Sequence, residues 1–223
     1  MPLARWKDLC MDATDPDRMG VFWAGALGLR RTVLDDGDLR LAGASPEHAI
    51  WVNAVPEPQT VKQRVHLDIY AASVADVEAL GAHRLSADGE FAWTVLADPE
   101  GGELCVFVRG DVPDYRLYEI GVDTAQPAAV ARWWSDVLGA RLVDDEGGFS
   151  YIDDIPGAPF DSIDFAPVPE PKTVKNRIHW DVNADAVQPL VDAGAAVLRA
   201  PDDEIFWHVL ADPEGNEFCC FTE

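Results

Sequence analysis

Basic residues are scarce in this chain. Seventeen lysines and arginines stand against 40 aspartates and glutamates, a formal net charge of −23. A phosphate polymer is repelled by such a field, so nucleic acid is excluded as a partner on charge. Long apolar runs are also missing: no stretch approaches the roughly 20 apolar residues of a spanning helix, and MPLARWKDLC at the start lacks the apolar core of a leader. These absences predict no membrane partner and a cytoplasmic protein. Cysteine amounts to four residues. Cys10 and Cys105 fall in strand-like segments, and Cys219 and Cys220 are neighbours pointing to opposite faces of one strand. That is no disulfide framework, and a reducing compartment suits it.

What is present is a soluble globular composition, 48% hydrophobic and 26% charged, in 223 residues, enough for two domains of ordinary size. Much of the acid lies in turns such as Asp35-Asp36-Gly37-Asp38 and Asp202-Asp203-Glu204, where it either solvates the surface or steers a cationic ligand.

The chain repeats itself. TVKQRVHLD, from Thr60 to Asp68, returns as TVKNRIHWD from Thr173 to Asp181. WTVLADPEGGELCVF, from Trp93 to Phe107, returns as WHVLADPEGNEFCCF from Trp207 to Phe221. VPEP at Val55 to Pro58 recurs at Val168 to Pro171, and Phe22-Trp23 followed by Gly28 matches Trp133-Trp134 followed by Gly139. The separation is roughly half the chain, which marks duplication of a domain and not a solenoid, whose period is about 20 to 50 residues. The polar stretch from Arg109 to Asp114 connects the copies, predicting domains over 1–110 and 115–223.

Each half divides again into two similar units. The first opens with a strand near Trp6 to Ala13; Asp15 caps a helix with Pro16 in its first turn, and Gly28 ends it. Strands follow over 29–34, 39–42 and 49–55. The second unit runs as a strand over 64–70, a helix capped by Ser73 and ended by Gly81, and strands over 83–85, 91–97 and 103–108. Asp98-Pro99-Glu100-Gly101 turns between the last two. The second half reads alike, with a helix near 187–193 that must accommodate Pro189. The fold class is therefore α+β, built of strand-helix-strand-strand-strand units.

Alternation assigns strand residues to two faces. Asp8, Cys10 and Asp12 oppose Leu9 and Met11; Glu119, Gly121 and Asp123 oppose Tyr118, Ile120 and Val122. His66, Asp68 and Tyr70 share one face of their strand, as do His179, Asp181 and Asn183 in the repeat. Glu103, Cys105 and Phe107 line up, and so do Glu217, Cys219 and Phe221. If the sheets curl, these faces converge on a polar pocket with aromatic walls, to which Trp93 and Trp207 belong unless they pack in the core.

VPEPKTVKNRIHWD and VLADPEGNEFCCF, with their N-terminal copies, resemble the vicinal oxygen chelate superfamily, and within it the glyoxalase-like domain branch; the resemblance spans nearly the whole chain. It implies tandem domains, each of two βαβββ modules forming a curled mixed sheet around a cleft. It also implies metal ligands at the opening strand (Asp8, Glu119), at the histidine of the next module (His66, His179), and at a glutamate position that here holds Cys105 and Cys219. That departure favours zinc over the hard-oxygen coordination of Mg, Mn or Fe, and leaves a bound metal and no cofactor equally open.

The expected metal site is His179, Glu119 and Cys219, with Glu119 and Glu217 as proton-transferring carboxylates. Asp181, Trp207, Phe221, His66, Asp68 and Trp93 are expected to contact a small-molecule ligand. The other reading of His66 and His179 is a histidine held by the neighbouring aspartate. Lys62 and Arg64, repeated as Lys175 and Arg177, either bind an anionic substrate or anchor a loop through salt bridges. Two functions follow: a metal-assisted lyase or isomerase acting on an oxygen-rich metabolite, or a metal-free protein that binds and sequesters an antibiotic-like ligand. Enzyme status stays open, as does the choice between monomer and homodimer.

Overall fold

A computed structural model describes residues 1–34, 38–144 and 147–222; the acidic turn at 35–37 lies outside the described residues. Four modules follow one another. The first comprises β1 (Arg5–Ala13), α1 (Pro16–Leu27), β2 (Arg30–Val33), β3 (Leu39–Ala42) and β4 (Ile50–Ala54). The second holds β5 (Val65–Ala71), α2 (Val74–Ala79), β6 (His83–Arg84), β7 (Thr94–Ala97) and β8 (Glu103–Val108). The third is β9 (Leu117–Thr124), α3 (Pro127–Leu138), β10 (Arg141–Asp144), β11 (Ser150–Asp153) and β12 (Ser162–Pro167). The fourth is β13 (Ile178–Ala184), α4 (Gln188–Asp192), β14 (Ala196–Arg199), β15 (His208–Ala211) and β16 (Glu217–Thr222).

Local chemistry sets the helices where the sequence predicts them. Asp15 accepts the Arg18 amide at 3.1 Å, Pro16 opens α1, and Gly28 closes it in the left-handed region at φ 73°. α4 is a short helix that places Pro189 in its first turn, where the missing amide is tolerated. Strand β7 starts at Thr94, three residues later than the periodicity predicts, and Phe91 to Trp93 bend instead.

The modules pair across the halves. One sheet, A, runs β14-β15-β16-β13-β1-β4-β3-β2, joining the first module to the fourth; the other, B, runs β10-β11-β12-β9-β5-β8-β7-β6, joining the third to the second. The seams are antiparallel, β1 against β13 and β5 against β9. Each sheet therefore draws on both sequence repeats, and neither half closes a sheet by itself. The apolar faces pack on the helices in one continuous core. Trp134 of α3, a helix lying on β11 and β12 of sheet B, meets Trp180 and Phe218 of sheet A at centroid distances of 4.7 and 5.0 Å. The same indole donates to Asp212 at 3.2 Å, which anchors the turn before β16. Among the described residues, no helix is long and apolar enough to cross a membrane.

Candidate functional site

On sheet A, β13 lies between β1 and β16. The registers set Cys10 opposite His179, Asp8 opposite Asp181, and Asp181 beside Cys219. All five side chains are at least nine-tenths buried. The Cys219 sulfur lies 3.5 Å from His179 Nε2, the Cys10 sulfur 3.6 Å from an Asp181 oxygen, and His179 Nε2 3.7 Å from the other Asp181 oxygen. Lys7 Nζ reaches Asp8 at 2.8 Å and Asp181 at 3.6 Å, and sits 4.0 Å above the Phe221 ring. Trp51 donates to Asp8 at 3.0 Å. Burial, then the nearby Lys175, pushes His179 down to about 4, so the ring is neutral at pH 7. Burial and then Asp8 push Asp181 up to about 8. Burial raises the Cys10 and Cys219 thiols, and Asp181 adds to both.

Sheet B repeats the arrangement with other residues. His66 faces Gly121, Asp68 faces Glu119, and Cys105 flanks Asp68. His66 Nε2 lies 3.3 Å from Asp68. Asp68, its carboxyl raised well above the usual range first by burial and then by Glu119, shares a hydrogen bond with Glu119. Ser162 also donates to Glu119, at 2.9 Å. Rings extend the face: Trp93 stacks on Phe107 at 5.6 Å, Phe107 meets Tyr118 edge-on at 4.9 Å, and Tyr118 lies 4.7 Å from Tyr70.

Two features depart from the alternation. The register breaks between Trp6 and Asp8 in β1, and between Leu117 and Glu119 in β9. Each irregularity turns one extra residue toward the polar face, Lys7 on sheet A and Tyr118 on sheet B. Tyr118, expected beside Ile120 on the apolar face, instead joins the rings of the polar face. Lys7 has no signal in the sequence, since such a bulge carries no glycine to mark it.

Glu119 and His179, expected to share one site, lie on different sheets, because each half sends its two modules to opposite sheets. Glu119 serves the His66 and Asp68 face, and Asp8 takes its place beside His179. Glu217 is committed elsewhere: Lys172 holds it at 2.7 Å and it accepts the Asn176 amide at 3.1 Å. Cys219 is the residue of β16 that meets His179. Trp207 stacks on Phe221 at 5.4 Å, walling the sheet A face as Trp93 does on sheet B. The basic pairs anchor loops: Lys62 holds Asp123 at 2.6 Å, Lys175 holds Asp12, and Arg177 holds Glu100 at 2.8 Å. Cavities of about 640 and 500 Å³ lie between these loops, at the ends of the two polar faces marked by Asp12 and Asp123.

The donor chemistry of sheet A fits a metal of the zinc type. Cys10, His179 and Asp181 each bring one donor atom within 4.8 Å of the others. His179 Nδ1 and Asp181 Oδ1 are buried with no hydrogen-bond partner. Thiol, imidazole and carboxylate together match zinc and not the all-oxygen shell of magnesium. His66, Asp68 and Cys105 form a corresponding group on sheet B, but there Asp68 is already bonded to Glu119.

A glyoxalase-like domain model matches residues 8–107 and again 119–221. The structure resembles that of glyoxalase I from Zea mays, with a TM-score of 0.73 at 14% identity, covering 98% of this chain and 92% of that one. It also resembles a putative dioxygenase from Bacillus subtilis subsp. subtilis str. 168, TM-score 0.65 at 18% identity, covering 99% and 86%. The cppA protein of Streptococcus pneumoniae TIGR4 is a more distant likeness, TM-score 0.53 at 12% identity over 99% and 100%. At these identities the likeness is one of fold. No curated protein matches the chain by sequence.

Proposed function

Because the chain belongs to the glyoxalase-like domain family, we propose that it binds a small oxygen-rich metabolite on the polar face of sheet A and acts on it as a metal-assisted lyase or isomerase. The observation that carries this reading is the convergence of Cys10, His179 and Asp181 donor atoms within 4.8 Å. These three residues would hold a zinc-type ion, with Cys219 beside His179. When bound, such an ion supplies Lewis-acid polarisation of a substrate oxygen. His179 enters neutral, as a ligand must. Asp8, steadied by Lys7 and the Trp51 indole, is the carboxylate placed to accept a proton from substrate. Trp207 and Phe221 shield one side of the site from water, and Lys7 above Phe221 offers a cation to a developing oxyanion.

A second reading, metal-free sequestration of a ligand, is favoured by one observation: both thiols are raised by burial, so a metal must displace tightly held protons. Protein purified without chelator, analysed for metal beside His179→Ala, separates the two. Stoichiometric metal that disappears in the variant supports the enzyme. Absence of metal from both, with ligand-induced tryptophan quenching that survives EDTA, supports sequestration.

A further inference from the structure

The two polar faces have the same plan and differ in charge. On sheet A the acids Asp8 and Asp181 both face one cation of the chain's own, Lys7, at 2.8 and 3.6 Å. On sheet B the equivalent acids are Glu119 and Asp68, and the bulge position holds Tyr118. Among the described residues, no lysine or arginine pairs with either of these acids. Asp68 is 5% exposed, and its Oδ1 has no hydrogen-bond partner, lying 3.3 Å from His66 Nε2 but outside bonding geometry.

Beside this pair, whose carboxyls share a hydrogen bond but face no lysine or arginine among the described residues, stands a wall of rings. Phe91, Trp93 and Phe107 stack in series at 5.4 and 5.6 Å, with interplanar angles of 9° and 25°. Tyr118 and Tyr70 continue the wall toward Glu119. Phe91 and Trp93 remain 46% and 38% exposed, a large apolar surface to leave in water on so acidic a protein. Aromatic faces attract cations, and Arg109 already sits 4.3 Å from the Tyr70 ring centroid.

We infer that the polar face of sheet B is a second binding site, for a flat aromatic cation that packs against the Trp93 and Phe107 wall and directs its charge at Glu119 and Asp68. The ligand supplies the positive group that Lys7 supplies on sheet A. The chain's net charge of −23 draws such a ligand in, and the rings select it from other cations. This site is independent of the sheet A reading, since it uses none of the same residues.

The test titrates chelator-treated whole protein by calorimetry at about 0.15 M salt, where long-range attraction is screened. The probes are benzamidinium, benzamide and benzoate, which share a ring and differ in charge, and methylguanidinium, which has the charge without the ring. Benzamidinium is expected to bind at one site, at least about tenfold more tightly than the other three. Glu119→Gln and Trp93→Ala are each expected to weaken it by about tenfold, and His179→Ala to leave it unchanged. Trp93 is partly exposed, so its replacement tests the wall even if Glu119→Gln does not fold. Absence of binding, equal affinity for methylguanidinium or benzoate, or full affinity in Trp93→Ala overturns the inference. Loss of affinity in His179→Ala alone places the ligand on sheet A and overturns it equally, while metal analysis of sheet A stands apart from all these outcomes.

Discussion

Replacing Gly121 by alanine tests how the sheet B face is assembled. Gly121 lies opposite His66 across the β5 and β9 seam, and a Cβ built there falls 2.3 Å from both Cε1 and Nε2 of the imidazole. The ring must retreat by more than about 1 Å to restore contact distance, in a face where Asp68 is buried, and overpacking of this kind costs about 1–3 kcal/mol. Backbone entropy works the other way, since alanine in a strand is favoured over glycine by about 0.5–1 kcal/mol. In the native background the clash wins, and the melting temperature should fall by about 2–4 °C for each kcal/mol lost. In a His66→Ala background the clash is gone, and Gly121→Ala should become stabilising. Urea denaturation of the four proteins measures the coupling directly. Equal effects in both backgrounds, within the roughly 0.5 kcal/mol expected of independent sites, would refute the reasoning.

Other perturbations have equally definite expectations. Asn216 donates to Asp212 at 2.9 Å and accepts from Asn176 at 3.0 Å, both in buried surroundings; Asn216→Ala leaves the Asn176 amide without its acceptor, while Asp212 keeps the Trp134 indole, and should cost about 1–3 kcal/mol in urea. Burial lifts Asp98 to about 6, although it accepts the Glu100 and Gly102 amides at 2.8 Å each. Its folded pKa exceeds the unfolded one, so its contribution is fully present below about pH 4 and lost as pH rises through about 6, a swing near 3 kcal/mol that Asp98→Asn should flatten in a pH series of denaturation curves. Arg177 pairs with Glu100 across the halves, with side chains 12% and 8% exposed, whereas Arg64 bonds a backbone carbonyl of Glu170. Arg177→Ala should therefore destabilise by about 3 kcal/mol and Arg64→Ala by about 1, and calorimetric melting distinguishes them.

Much of this was legible in the residues. The duplication, the module plan, the helix caps at Asp15 and Gly28, and the polar faces carrying His66, Asp68, His179 and Asp181 follow from periodicity and spacing. The pairing of modules does not follow. Alternation tells which face a side chain occupies but not which strand lies alongside, and the near-identical VHLD and IHWD segments offer β1 two equivalent partners. Choosing the nearer one in sequence sets Glu119 beside His179; the folded chain chooses the farther. Lys7 and Tyr118 escaped because a bulge shifts the phase of a strand without altering its composition. Cys10 was on the correct face, yet its approach to Asp181 depends on the seam that sequence leaves undetermined.

The crossed pairing of modules reaches into how such a chain can vary. A single half, expressed without the other, presents β1 and β5 as open edges, and two copies of it can satisfy one another by exchanging modules as a twofold dimer. In that assembly every change would appear at both sites together. Tying the copies through residues 109–114 replaces an encounter between molecules by one within a molecule, and it also lifts the constraint of symmetry. Lysine at 7 with tyrosine at 118, and cysteine at 10 with glycine at 121, are pairs that no symmetric dimer can carry. The tether thus lets one ancestral pocket become two dissimilar ones without either losing its frame.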